Sequence, residues 1–567
     1  MSEEREFPLG GGTVRRMAKP VKITFLGGLG EIGRNCACIE VDGRIMLIDC
    51  GLMFPDLDML GVDLVLPDFS YLYENADRIE GAILTHGHED HTGGLAFLLR
   101  DVSFPLYGSE LTLGLARNRI EEAGLLDRTD FIPVKDGERR KIGPFDCEFI
   151  PVTHSVPHGF ATAFHTPQGV ILHSGDFKID LTPVDGRLTD LSRMGSLGHE
   201  PGVRLLLADS TNAEEHGHSA SETSVGQVLY DLFHAHEGRR IITACFASHV
   251  HRVQQIADAA IAFDRKIATL GLSMKKNVKL ARQMGLLNIP EKHLIDIGEI
   301  DDHKPEEICI ISTGSQGEPM SALALMAATE SKWLTLTPDD TVILSSHPIP
   351  GNEMNVSKVI DGLVRQGVEV VYSGIADVHA TGHAKSEELK TYHSIIKPEW
   401  FIPVHGEYRH LVAHAKIARK MGIAPDHVWV CEDGHQLELN DDGLKAVGKV
   451  PAGYLYVDGT IGDVGHGVLR DRKVLAEEGV VVVIVTLDVE SGALITKPEI
   501  VTRGWVYDAE AEGLLADCAN AVEKAIGEVK DTTDIEAVQR AARKAAGRFV
   551  NKETKRRPMI VPVVIEA

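Results

Sequence analysis

The chain reads as an α/β protein of several units, and three observations carry that reading. Short runs rich in Val, Ile and Leu recur, and most are followed by a stretch with helical periodicity. Several of these runs end in histidine or aspartate, as in Ala82-Ile83-Leu84-Thr85-His86, Val170-Ile171-Leu172-His173 and Phe401-Ile402-Pro403-Val404-His405. The strand–helix alternation also restarts near Asp209 and returns to histidine-ended strands after residue 370.

At 567 residues the sequence has room for about three or four domains. Hydrophobic residues make up 43% and charged residues 25%, an ordinary globular balance. The longest apolar run, Val480 to Val485, is strand-length and cannot cross a bilayer. Residues 1–20 are polar with scattered basic charge and no apolar signal core; they read as a flexible N-terminal extension of a cytoplasmic protein. The eight cysteines are dispersed with no CxxC pair, which fits reduced thiols. A net charge of −25 argues against broad, nonspecific adhesion to nucleic acid. A nucleic-acid enzyme stays open, because bound cations can be the largest local charges in a site.

Taken in order, Val21 to Leu26, Cys36 to Val41 and Arg44 to Ile48 read as strands. The turn Gly27-Gly28-Leu29-Gly30-Glu31-Ile32-Gly33 has the glycines of a dinucleotide loop but not the following helix, so it is expected to be a tight turn. Asp49, after the third strand, either supports the next loop by accepting hydrogen bonds or is a plain turn residue. That next loop is Thr85-His86-Gly87-His88-Glu89-Asp90-His91, ahead of an expected helix from Thr92 to Arg100. His86, His88, Asp90 and His91 are four metal-ligand types within six residues, too dense for an ordinary solvated loop. Imidazoles and carboxylates without cysteine suit zinc in a catalytic rather than a closed structural site.

Glu110 to Ala123 reads as helix, Phe145 to Pro151 as part of a strand pair, and His154 follows it. A lone histidine after a strand is more often structural than ligating. Asp176 follows the strand Val170 to His173, where a carboxylate can bridge two cations. From Asp209 to Glu369 a second α/β unit is expected, with strands at Arg239 to Cys245, Ile308 to Ser312 and Thr341 to Leu344 and helices at His249 to Ala262, Met274 to Gln283 and Glu353 to Arg365. Its loops, Phe246 to His249, Ser312 to Glu318 and Ile349 to Glu353, either offer backbone N–H groups to phosphates or are ordinary strand–helix turns. His383 lies in Gly382-His383-Ala384 before a helix from Ser386, and His405 ends the strand Trp400 to Val404. Val450 to Gly467 reads as a Gly-rich linker. The last stretch holds a strand at Val480 to Leu487, helices at Asp508 to Lys524 and Ile535 to Phe549, and a strand at Met559 to Ile565. The basic run Lys552 to Arg557 reads as a solvated loop rather than an RNA contact.

His86-x-His88-x-Asp90-His91 is similar to the metal signature of the metallo-β-lactamase superfamily. With His154, Asp176, Asp209-Ser-Thr-Asn212, Thr313-Gly-Ser-Gln-Gly317, Gly382-His383-Ala384 and Pro403-Val-His405-Gly-Glu407, residues 20–440 resemble the ribonuclease J family, in the β-CASP nuclease branch. His158 after Pro157 is the one departure. The resemblance implies an αββα metallo-β-lactamase sandwich (21–208 and 370–445), an inserted α/β β-CASP domain (209–369), a linker (446–467) and a small α+β C-terminal domain (468–567). It assigns His86, His88 and His154 to one zinc, Asp90, His91 and His405 to a second, and Asp176 to both, with manganese or magnesium as possible activating ions. It further implies hydrolysis of RNA in its maturation and decay, 5′→3′ from 5′-monophosphate ends and also internally. His383 would contact phosphate and act as general acid oriented by Asp209, and Ser248, Gly314, Ser315 and Gln316 would belong to the 5′-phosphate pocket. The C-terminal domain would support a homodimer or homotetramer, and partners in an RNA-degradation complex are possible. An inactive RNA-binding scaffold, whose signature would be missing ligands, a DNA-directed β-CASP nuclease and a small-substrate hydrolase are the rival readings. The small-substrate hydrolase leaves the insertion and the His383 motif unexplained.

Overall fold

The computed structural model describes residues 18–567 apart from 57, 350, 460, 461, 463 and 507, and not the side chains of 508–510. Most of the expected N-terminal extension therefore lies outside the described residues. The described chain forms two compact units, one running to Met53 and through Leu66–Tyr454, the other made of Phe54–Val65 and Leu455–Ala567.

In the first unit an eight-stranded and a six-stranded sheet pack face to face. Alternate residues of the facing strands fill the space between them: Ile23, Phe25, Ile39, Met46 and Ile48 from one sheet, Phe149, Phe160, Ile171, Leu207 and Ile402 from the other. The outer face of the second sheet is covered by the helices Leu191–His199, Ser386–Ile396 and Tyr408–Lys420, whose Leu197, Tyr392 and Ala415 meet Leu172, Leu206 and Phe401. Arg44–Ile48 and Ile79–Ile83 run parallel in the first sheet. Gly169–His173, Val203–Asp209 and Trp400–Val404 run parallel in the second. Parallel strands finish at one edge, so the segments after Ile48, Ile83, His173, Asp209 and Val404 gather there.

Between the second sheet's strands Val203–Asp209 and Trp400–Val404 the chain builds a five-stranded parallel sheet. Its strands Arg240–Ala244, Ile308–Ser312 and Asp340–Leu344 are buried along almost their whole length, with continuous apolar centres, because helices cover both faces. In the second unit, Val480–Leu487 pairs with Glu499–Arg503 and with Met559–Glu566. Val481, Val483 and Val485 face the helices Asp508–Gly527 and Ile535–Thr554 through Cys518, Val522, Val538 and Ala542.

Three local expectations change. The basic run Lys552 to Arg557 is not all loop, since residues 552–554 close the helix Ile535–Thr554. The single helix from Thr92 to Arg100 is two short ones, Glu89–Thr92 and Leu95–Leu98, broken where Gly93 and Gly94 pack on Cys50 to Leu52. The stretch from Val450 to Gly467 is not all linker: it contains the strand Tyr454–Val457 and the start of the helix Gly465–Glu478. All eight cysteines are free and buried, and no described helix is long and apolar enough to cross a membrane.

Candidate metal centre

The edge where the parallel strands finish gathers the expected ligands. His86, His88, His154 and Asp176 place one ligand atom each within 4.8 Å of one another, and Asp90, His91, His405 and again Asp176 do the same. A third set at the same spacing, Asp176, Asp209, His383 and His405, overlaps the second. Asp176 is common to all three.

The neighbours of each ring decide which nitrogen faces inward. Asp49, 1% exposed, accepts from Thr85 N at 2.8 Å, Thr85 Oγ1 at 2.8 Å and His91 Nδ1 at 2.7 Å. The His91 proton is thereby held on Nδ1, leaving Nε2 toward Asp176 at 3.1 Å, where Asn35 Nδ2 also reaches it at 3.1 Å. His154 donates Nδ1–H to the Gly382 carbonyl at 2.7 Å. His86 Nδ1 lies 3.1 Å from Thr85 Oγ1, and His405 Nδ1 lies 2.6 Å from Thr211 Oγ1. Each of these rings thus turns Nε2 to the centre. His88 uses Nδ1 instead, 2.9 Å from His86 Nε2 and 3.2 Å from His154 Nε2. Five imidazole rings thus turn a nitrogen to one point, around the carboxylates of Asp176 and Asp90, the donor arrangement that suits a divalent cation.

Two close approaches require glycine. A Cβ on Gly51 would stand 1.6 Å from the Asp90 carbonyl oxygen, and one on Gly382 would stand 2.6 Å from His154 Cε1. Asp49 and His405 both adopt left-handed backbone, with φ of 59° and 53°, so each side chain leaves its strand end toward the shared point.

The charge balance also points to cations. Asp49, Asp90, Asp176 and Asp209 pair only with histidines among the described residues; no Lys or Arg reaches them. Burial pushes His86 and His154 well below the ordinary histidine value and His88 down to about 4, so these rings are neutral, the form that can bind a cation. Burial opposes charge on His91 and His405 too, but Asp176 and its neighbours override it and push His405 up to about 10. Burial would raise Asp90 and Asp176, yet the surrounding histidines hold both well below the carboxylate range. Buried carboxylates of this number need positive charge, supplied by protons on histidine or by cations that replace them. The donor set fits a divalent cation.

His383 lies at the rim of the centre, half-buried like Asp90 and His88. Its Nδ1 is 2.7 Å from Asp209 Oδ2, its side chain is 19% exposed, and its ring stacks on His405 at 5.3 Å. Asp209 raises its pKa against the effect of burial. Thr211 joins the pair, its hydroxyl bonded to Asp209 Oδ1 at 2.7 Å and to His405 Nδ1. The sequence reading gives Thr211, Thr85 and Asn35 no role; the available signal was a hydroxyl two positions after Asp209 for Thr211 and one directly before His86 for Thr85, with none for Asn35. The glycine-rich turn is a tight turn whose Leu29–Gly30 pairs with Gly406–Glu407 beside His405. It is braced by the buried Arg34, which pairs with Glu31 at 2.6 Å and Asp433 at 3.1 Å.

Ser248, Gly314, Ser315 and Gln316 lie on loops at the carboxyl ends of the adjacent strands Arg240–Ala244 and Ile308–Ser312 of the inserted sheet. Gly314 has φ of 101°, Ser315 is buried and Ser248 is half-buried. The Gln316 amide is committed, donating to His347 O at 2.9 Å and accepting from Ile349 N at 2.7 Å. Burial raises the pKa of Glu318 on the same loop, and the negative charge of Glu89 adds to it.

Four family models match the chain: the metallo-β-lactamase superfamily over residues 29–222, the ribonuclease J β-CASP domain over 238–363, the zinc-dependent metallo-hydrolase RNA specificity domain over 367–430 and the ribonuclease J C-terminal domain over 467–567. Among similar proteins, ribonuclease J of Mycobacterium tuberculosis is 42% identical over 550 residues, covering 96% of this chain and 97% of that one. Ribonuclease J2 of Bacillus subtilis is 38% identical over 555 residues, covering 97% and 100%. A solved structure of a protein of unknown function from Enterococcus faecalis superposes with a TM-score of 0.52 at 15% identity, over 74% of this chain and 100% of that one, and shares the fold.

Proposed function

The chain belongs to the ribonuclease J family, and from that premise we propose that it is a metal-dependent ribonuclease hydrolysing RNA phosphodiester bonds. One observation carries the reading. The segment matching an RNA specificity domain, residues 367–430, contains both His383, a half-buried side chain held by Asp209 at the rim of the centre, and His405, inside it.

In this reading His86, His88 and His154 hold one zinc, Asp90, His91 and His405 the other, and Asp176 contributes to both; manganese or magnesium can serve as activating ions. When bound, the cations supply a nucleophile from water near neutral pH and neutralise charge on the scissile phosphate. The protein's own groups do the rest. Asp49, Thr85, Thr211 and the Gly382 carbonyl fix the imidazole orientations before substrate arrives. Asp209 holds the His383 proton donor in place, with Nδ1 engaged and Nε2 left for the phosphate and the departing 3′-oxygen. Ser248, Gly314 and Ser315 form the pocket for a 5′-monophosphate, and Gln316 shapes it by bracing the neighbouring loop. Such a pocket favours stepwise 5′→3′ removal from monophosphorylated ends, with internal cleavage where RNA threads past it. A homodimer or homotetramer built through the second unit, a place in an RNA-degradation complex and a cytoplasmic setting complete the proposal; the eight free cysteines support the last.

The test couples metal analysis to product mapping on 5′-end-labelled RNA. The expected result is two divalent ions per chain, faster progress on 5′-monophosphorylated than on 5′-triphosphorylated RNA, and little cleavage of DNA of the same sequence. Equal rates on the two RNA ends refute the pocket. Equal cleavage of DNA refutes the RNA selectivity, and no hydrolysis by the metal-loaded protein refutes the ribonuclease reading.

A further inference from the structure

The second unit carries a cationic groove that the metal centre does not use. Arg543, Lys544, Gly547, Arg548 and Asn551 lie on one face of the helix Ile535–Thr554. With Arg557 and the Pro558–Ile560 edge of the following strand they line a space of about 350 Å³. Residues 535–567 hold eight Lys and Arg against three Glu, in a chain whose net charge is −25.

The four lining cations are exposed, and among the described residues none has a carboxylate partner for its side chain. The nearest acids are engaged elsewhere. Glu478 accepts the Arg557 backbone N–H at 3.0 Å and faces Arg556 at 3.8 Å, while Glu553 pairs with Lys552 at 2.8 Å. Surface arginines on an acidic protein find acidic partners readily; here three unpaired cations follow one another along two turns of a helix. Gly547 adds a separate observation. It sits inside a 20-residue helix, where glycine is unfavourable, yet a Cβ there would touch only Ile560 Cγ1, at 3.8 Å. Packing does not call for glycine at this point. What glycine does is keep the floor of the groove clear between Arg543, Arg548 and Asn551.

We infer that this groove is a second RNA-binding site, a phosphodiester-backbone subsite on the unit that lacks the metal centre. Guanidinium forks match phosphate oxygens in pairs, Lys544 adds a point charge, and Asn551 adds amide donors. The inference rests on the ribonuclease reading, because an RNA backbone is the polyanion that reading brings to the chain. No base-reading arrangement is present in the groove, so it tethers RNA irrespective of sequence and serves long substrates more than short ones.

The experiment compares the full chain with the triple variant Arg543→Ala, Lys544→Ala, Arg548→Ala and, separately, with Gly547→Glu. The second places a carboxylate in the groove while improving helix propensity, so it tests the site without depending on the triple variant's folding. Affinity for a long single-stranded RNA is measured across a salt series, alongside turnover of a short oligonucleotide and mass by light scattering. Both variants are expected to weaken binding of the long RNA about tenfold, and the triple variant to flatten the log–log salt dependence by about 2. Short-oligonucleotide turnover stays unchanged. Parental affinity and salt slope in both variants overturn the inference, and a shifted mass with parental affinity reassigns the groove to contacts between copies. If the parent chain itself neither binds nor cleaves RNA, the ribonuclease reading falls first.

Discussion

Asp49→Asn separates what the centre owes to its ligands from what it owes to the groups behind them. Asp49 touches no expected metal position, yet it accepts three hydrogen bonds in a site that water does not reach. Asparagine can keep the bond from Thr85 N through its oxygen. Its NH₂ group then faces Thr85 Oγ1 and His91 Nδ1, two groups that had donated to carboxylate oxygens. Losing two such bonds outright would cost about 3–6 kcal/mol, at about 1.5–3 each. The site has a cheaper escape. The Thr85 hydroxyl can rotate, and His91 can move its proton from Nδ1 to Nε2 and accept from the amide. That relaxed state puts a proton on the nitrogen that faces Asp176 and Asp90. The loss therefore falls on metal affinity more than on stability, and removal of such a supporting group weakens binding about 10–100-fold.

The assay is titration of the metal-free protein with zinc in competition with a chromophoric chelator, paired with a thermal melt. The buried cysteines do not compete for the ion. One of two zinc equivalents is expected to weaken by about 10–100-fold while the other, at His86, His88 and His154, keeps its affinity. Two equivalents held as tightly as in the parent would refute the claim that Asp49 sets the His91 tautomer. Equal weakening of both would show that the two clusters are not separable sites.

Three further expectations follow from particular contacts. Gly51→Ala drives a methyl to 1.6 Å from the Asp90 carbonyl, so it should destabilise the fold by about 1–3 kcal/mol or more and abolish binding at the second cluster, read by melting and metal content. His383→Ala should retain two ions and lose about 100-fold or more in turnover; release of one ion would instead make His383 a ligand of the third set. Asp433 is pushed up to about 7 by burial and by Glu31, because both carboxylates share the single guanidinium of Arg34. Its folded pKa exceeds its unfolded one, so its contribution to stability is complete below about pH 4 and lost as pH rises to about 7. Asp433→Asn should flatten the melting temperature of the metal-free protein over that interval, and an undiminished pH slope would refute the assignment.

The parts of this molecule that were legible in the sequence are those where one residue type has few uses. Buried parallel strands announced themselves as Ile308-Cys309-Ile310-Ile311 or Thr341-Val342-Ile343-Leu344, because helices on both faces leave no polar alternation. His86 to His91 stood out because ligand types seldom crowd so closely. His154 and Asp176 were weak signals individually; the topology that brings them to one edge is a property of the whole sandwich. The roles of Thr85, Thr211 and Asn35 were hidden for a different reason. Hydroxyls and amides are common at strand ends, and only the position of a neighbouring ring turns one into a support. Gly93 and Gly94 broke an expected helix because the facing chain needs their space, which periodicity does not encode. At the other end of the chain the contiguous run Lys552 to Arg557 drew the eye, whereas the groove takes Arg543, Lys544 and Arg548 at helical spacing and only Arg557 from that run.

The distribution of positive charge connects the metal centre to the groove. A chain of net charge −25 that acts on a polyanion must supply attraction locally, since exposed charges are screened beyond about 10 Å in ordinary salt. At the metal centre it does so without a single Lys or Arg pairing to Asp49, Asp90, Asp176 or Asp209 among the described residues. Permanent side-chain cations there would neutralise those carboxylates and compete with metal for them. Histidine avoids the conflict, because its proton can leave when a dication arrives. Histidine protons only offset the carboxylates, so the centre gains a net positive charge when loaded, and an unloaded chain offers RNA little there. Fixed cations can then be concentrated where no metal must bind, as on the helix Ile535–Thr554. On this argument stripping the metal should abolish hydrolysis and weaken RNA binding only in part, with the remaining affinity carried by Arg543, Lys544 and Arg548. Residual binding by the metal-free parent that survives the triple substitution intact would break the link between the two sites.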